Sequence, residues 1–109
     1  MPTKIDGNFG VLQSYDFQAL TTGFSYTFAS GTTTLIINPA GTLATGTITM
    51  PATPADGMVI TFNSTQIITT LTVNANTGQS IVSAVTTLAA GGGAKYIYRL
   101  ANTTWYRTA

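Results

Sequence analysis

Thr45-Gly46-Thr47-Ile48-Thr49-Met50-Pro51-Ala52-Thr53-Pro54-Ala55-Asp56-Gly57-Met58-Val59-Ile60-Thr61-Phe62 is the stretch from which the fold can be read. Thr45, Thr47 and Thr49 alternate with Gly46, Ile48 and Met50, a period of two that predicts a strand with one polar and one apolar face. The residues from Pro51 to Gly57 then interrupt it. Proline removes a backbone donor and Asp-Gly accepts positive φ, so this segment must be a connection. Alternation resumes at once, with Met58, Ile60 and Phe62 facing one way and Thr61 and Asn63 the other.

The same pattern extends in both directions. Phe24, Tyr26 and Phe28 form an aromatic face, and the β-branched and apolar run Thr33–Asn38 predicts a strand buried on both faces. Ile67, Leu71 and Val73 share a parity with Thr69, opposite Thr70, Thr72 and Asn74. Tyr96, Tyr98 and Leu100 oppose Lys95, Ile97 and Arg99, and Thr104–Thr108 closes the chain with Trp105 and Tyr106. Turn residues separate the runs at Ser30-Gly31, Asn38-Pro39-Ala40-Gly41, Asn76-Thr77-Gly78 and Gly91-Gly92-Gly93. Ala101-Asn102-Thr103 is short enough to join two strands as a hairpin. Threonine occurs 23 times; its stiff, branched side chain favours a pleated surface and solvates it without charge. Gln13–Leu20 could form one helical turn. About eight short strands predict a single all-β domain, a β-sandwich, jelly roll or small barrel over 21–109. Residues 1–20 are expected to be an N-terminal arm with a short strand near Phe9–Leu12.

Charge is scarce. Of 109 residues only Lys4, Asp6, Asp16, Asp56, Lys95, Arg99 and Arg107 are charged, and there is no His, Cys or Glu. A Ser-His-Asp triad is therefore impossible, and most metal sites and nucleophile–base pairs are closed to this chain. No cofactor is expected. Four basic residues and a net charge of +1 cannot supply the phosphate contacts that hold nucleic acid. The apolar runs are too short to span a membrane as helices, and the first residues contain no apolar stretch that would form a secretory signal. Lack of cysteine suits a reducing cytoplasm.

The remaining candidates for chemistry have simpler readings. Asp56 is expected to accept backbone hydrogen bonds in its turn. Asp6 and Asp16 have no acidic neighbour to form a catalytic pair. Gly91-Gly92-Gly93 runs into Ala94-Lys95-Tyr96, not the Gly-Lys-Ser/Thr of a phosphate loop. Asn63-Ser64-Thr65 and Asn102-Thr103-Thr104 match the glycosylation sequon by composition alone. Lys95, Arg99 and Arg107 lie among tyrosines, but their parity predicts a solvated basic face behind a core aromatic face, or an interface with an acidic protein patch. Trp105 fits a core anchor and a subunit-contact anchor equally. A free monomer with so few charges risks association, so much of this surface is expected to meet other protein.

From Thr47 onward the chain resembles virion proteins of tailed phages. The resemblance is carried by Thr49-Met50-Pro51 with the Pro/Asp/Gly turn, by Ile67–Asn74 and Gly78–Val82, and by Tyr96–Arg107 with its Thr-Thr-Trp-Tyr-Arg ending. It covers roughly residues 45–109, and similar segments occur in tail and head fibres and in capsid decoration (cement) proteins. It implies a trimeric β module on a virion surface, made in the host cytoplasm, with no catalytic residues. The absence of repeats and heptads suits a decoration protein bound as a homotrimer to the major capsid protein, with Pro2, Lys4 and Ile5 of the arm and Arg99, Trp105 and Arg107 as interface candidates. The alternative is a tail or head fibre module whose Trp105 and Tyr106 stack on host glycans.

Overall fold

The computed structural model describes residues 3–6, 10–13, 15–29 and 31–108. They form eleven strands: β1 (Thr3–Asp6), β2 (Gly10–Gln13), β3 (Tyr15–Gln18), β4 (Phe24–Thr27), β5 (Thr34–Ile37), β6 (Leu43–Thr49), β7 (Val59–Ser64), β8 (Ile68–Asn74), β9 (Ser80–Val82), β10 (Gly93–Arg99) and β11 (Thr104–Arg107). A 3-10 turn, Leu100–Asn102, links the last two. β1 and β2 pair antiparallel with each other. The others form a six-stranded sheet in the order β3-β5-β7-β10-β11-β9 and a three-stranded sheet in the order β4-β6-β8.

The protein is all-β, as expected, but it is not a jelly roll. β3, β5 and β7 pair in parallel, as do β4, β6 and β8. From β3 to β8 successive strands alternate between the sheets, so the chain winds as a short β-solenoid of 19–27 residues per coil, and each coil stacks on the one before. A jelly roll would need antiparallel neighbours. Alternation assigns each side chain to a face and says nothing about which strand lies beside it. The chain then reverses: β10 lies antiparallel on β7, and β11 antiparallel on β10. Thr103, at φ 49°, closes that hairpin where the sequence placed it.

One core lies between the sheets. Leu35, Ile37, Ile60, Phe62, Tyr96, Tyr98 and Trp105 meet Phe24, Phe28, Ile48, Met50, Ile68, Leu71 and Val73. Full burial of each large apolar side chain contributes about 1.5–3 kcal/mol. The alternations at Phe24–Phe28, Gly46–Met50 and Met58–Phe62 hold. That at Ile67 does not: Ile67 is exposed and Ile68 is buried. The cause is a shared bend. β6 exposes Ala44 and Thr45 in succession, β8 exposes Thr69 and Thr70, and Thr45 stacks on Thr70. Thr33–Asn38 buries one face only, since Thr34 and Ile36 stay half-exposed on the outside of their sheet. Leu100 leaves the Tyr96–Tyr98 face because the 3-10 turn begins there.

The expected helical turn at Gln13–Leu20 is replaced by strands. Residues 15–18, assigned by sequence to the arm, are the edge strand β3. Asp16, in register with buried Leu35, shares the parity of the inner face. Its carboxylate accepts from the Tyr26 hydroxyl at 2.8 Å and from Gln18 Nε2 at 2.9 Å. An inward-pointing charge is a device that keeps an edge strand from pairing with another chain.

Burial, then the hydrogen bond to Asp16 and its negative charge, raise the Tyr26 phenol well above its ordinary value. The folded chain therefore holds a proton that the unfolded chain releases near pH 10. This contribution to stability is full below about pH 10 and is lost as pH rises further. Tyr26→Phe is expected to flatten the fall in stability above about pH 10, leaving the part due to Tyr96, which burial also raises. Denaturant titrations at pH 8 and pH 11 check this, and an unchanged slope would contradict it.

Candidate interaction surfaces

The hairpin β10–β11 carries three of the chain's four basic residues, and the pleat separates them. Lys95, Ile97 and Arg99 point outward, while Tyr96 and Tyr98 point to the core. Across the hairpin Ile97 faces Tyr106, Tyr98 faces Trp105 and Tyr96 faces Arg107. Arg107 thus shares the parity of the core face yet is exposed, and its positive charge is felt by the Tyr96 phenol.

Trp105 is a core anchor, fully enclosed. Its ring lies 4.9 Å from that of Tyr98. Its indole N–H donates to Gln79 Oε1 at 2.9 Å. Gln79 Nε2 in turn donates to the carbonyls of Pro51 and Ala52, and Asn76 Nδ2 donates to that of Met50. One side chain thereby ties the last strand to the Pro51–Gly57 connection. Tyr96 plays a similar part: its hydroxyl donates to the Ser83 carbonyl at 3.0 Å and accepts from the Val85 N–H at 2.9 Å. Asp56 is the turn residue that the sequence predicts, its carboxylate accepting the Leu100 N–H at 2.9 Å.

The outer face of the six-stranded sheet carries several exposed apolar side chains. Register places Tyr15, Thr34, Thr61 and Lys95 in one row across it, and Phe17, Ile36, Asn63 and Gly93 in a second. Val59, Ile97, Tyr106 and Val82 form a third. Tyr15 is 66% exposed, Phe17 55% and Val82 45%. Among the described residues, the charges pointing out from this face are Lys95 and Arg99, with Asp56 at the rim.

Among the described residues, shallow depressions mark this face. One, of about 240 Å³, lies among Thr61, Asn63, Gly93 and Lys95. A Cβ at Gly93 would run into the Phe62 carbonyl and the Asn63 side chain, so glycine leaves its floor open. Another, of about 340 Å³, is lined by Asp56, Gly57, Ile97, Arg99 and Tyr106.

Of the candidates named from sequence, Arg99 lies on this face, Arg107 on the opposite parity, and Trp105 in the interior. Lys4 and Ile5 lie in β1 opposite Leu12 and Val11. Pro2 is outside the described residues. Sequence reasoning missed Tyr15, Phe17, Val59 and Val82. The alternation Tyr15-Asp16-Phe17-Gln18 was the available signal. No protein-family model matches the chain, and no characterised protein is found to be similar to it.

Proposed function

We propose that this chain is a structural protein of a tailed-phage virion, a decoration protein that binds the outer capsid surface and strengthens the head. The observation that carries the reading is the outer face of the six-stranded sheet, where Tyr15, Phe17, Val59, Ile97 and Val82 are exposed together. Val59, Ile97, Tyr106 and Val82 are neighbours in register across four strands, and an apolar patch of this kind marks protein–protein contact. Lys95 and Arg99 are its outward charges, so the complementary partner is an apolar capsid surface rimmed by acidic residues. The segment resembling phage virion proteins, residues 45–109, contains β7, β9, β10 and β11, four of the six strands behind this face. The mechanism is mechanical and non-catalytic: area buried across neighbouring capsid subunits raises the cost of separating them. Association as a homotrimer would multiply weak single contacts.

The test combines copy number with a face-specific variant. Hundreds of copies per virion are expected. Phe17→Asp with Ile97→Asp should weaken capsid binding by roughly tenfold or more, while Thr47→Asp on the other sheet should not. Equal binding by all three proteins would overturn the reading, as would a handful of copies per particle.

The second reading is a fibre or receptor-binding module, favoured by the depression between Asp56, Arg99 and Tyr106. Because Trp105 is enclosed, Tyr106 is the aromatic left to stack on a glycan. Low copy number with glycan binding lost in Tyr106→Ala would select this reading.

A further inference from the structure

Asp56-Gly57 is a dipeptide in which a main chain readily rewires itself, because glycine has no side chain to shield its nitrogen from the neighbouring carboxyl. The Gly57 nitrogen attacks the Asp56 Cγ, a carbon–nitrogen bond forms, and the carboxyl hydroxyl leaves with the amide proton as water. Water then opens the cyclic imide. Opening at the Asp56 main-chain carbonyl gives isoaspartate, in which the chain runs through Cγ and is lengthened by a carbon. The water released in the first step is taken up in the second, so mass is unchanged and no other reactant is consumed.

The fold engages both reacting groups. The Gly57 N–H donates to the Tyr98 carbonyl at 2.8 Å, and the Asp56 carboxylate accepts the Leu100 N–H at 2.9 Å. Burial adds no protection, since Asp56 and Gly57 are both exposed and solvent reaches them. Their partners, Tyr98 and Leu100, lie at the junction of β10 with the 3-10 turn, and that turn contains no buried residue. Such a segment opens locally at a lower cost than the core, and its opening frees both reacting groups together. We propose that Asp56-Gly57 is a latent isoaspartate site that the end of β10 holds shut, so that the chain ages at this point whenever the segment lets go. The product carries its carboxylate on Cα instead of at the Leu100 N–H. It also lengthens the chain at the rim of the depression lined by Ile97, Arg99 and Tyr106. A transient opening is thereby made permanent.

The test is isoaspartate formation in the full chain at physiological pH and temperature, read by peptide mapping and isoaspartyl methyltransferase labelling. Asp6-Gly7, the same dipeptide, calibrates the intrinsic rate when the chain is unfolded in urea. Asp56 is expected to isomerise in urea and to slow by roughly tenfold or more in the folded protein. Leu100→Pro deletes the N–H that Asp56 accepts. Arg99, at φ −109° and ψ 111°, already has the extended backbone that precedes proline. The folded variant should isomerise at Asp56 roughly five- to tenfold faster than folded wild type. Circular dichroism shows whether the variant folds, and if it does not, the wild-type comparison decides. Equal rates at Asp56 in folded protein and in urea would overturn the proposal. So would a folded Leu100→Pro protein that ages no faster than wild type, or an Asp56 that stays intact in urea while Asp6 isomerises. None of these outcomes depends on capsid binding.

Discussion

Trp105→Ala is expected to remove about 3–5 kcal/mol of stability, the usual cost of emptying a buried aromatic site. Three losses combine. The ring is fully enclosed, so its volume becomes a cavity bordered by Tyr98 and Ile81. The indole N–H no longer meets Gln79 Oε1. Gln79 then loses one of the bonds that fix its amide, and its hold on Pro51 and Ala52 loosens with it. For a domain of this size each kcal/mol lowers Tm by about 4–8 °C. A thermal melt should therefore fall by on the order of 15 °C or more. Trp105→Phe should recover most of the packing and still lack the hydrogen bond. A Trp105→Ala melt within a few degrees of wild type would show that the indole is not the tie between the last strand and the connection.

The second large effect is expected from the smallest side chain in the core. Gly46 sits opposite Phe24 in the parallel pair β4–β6, and the Phe24 ring lies across it. A Cβ at Gly46 would overlap that ring. Phe24 is largely buried, with the core on its inner side, so the ring can move only towards solvent. Gly46→Ala should cost about 1–3 kcal/mol through overpacking, although alanine is ordinarily the better residue in regular structure. The specific check is a double-mutant cycle. Phe24→Leu should lose stability alone and should regain part of it when combined with Gly46→Ala, a coupling above about 0.5 kcal/mol. Additive losses would mean that the two residues do not share one space.

These positions show what the sequence could disclose. The faces of Phe24–Phe28, Gly46–Met50, Met58–Phe62 and Lys95–Arg99 were legible because burial imposes period two on a strand wherever it lies. Asp56 and the hairpin at Ala101–Thr103 were legible because turn chemistry is local. Parallel stacking was not, since Thr47 and Thr72 carry no mark of being neighbours. Nor was the bend at Thr69–Thr70, which shifts the phase of β8 only because β6 bends beside it. Trp105 could be read as core or contact until Gln79, far away in sequence, was placed beside it. Tyr15 and Phe17 read as an arm because an edge strand and an extended arm share the same local pattern. The surface they define is the part of the candidate site that composition alone could not locate, although the scarcity of charge pointed to its existence.

The winding has one more consequence, which concerns growth. A stack of parallel coils has two ends, and each end is a template for another strand. At one end the chain seals its own template: β10 covers β7, and the Thr86 and Leu88 carbonyls accept from the Leu71 and Ile68 N–H groups along β8. At the other end β3 and β4 are edge strands in both sheets. The particle is thus directional, with one terminus plugged and one held back by the Asp16 carboxylate and its two partners. Among the described residues, the Asp16 carboxylate, turned inward on β3, disfavours the addition of further strands at that terminus.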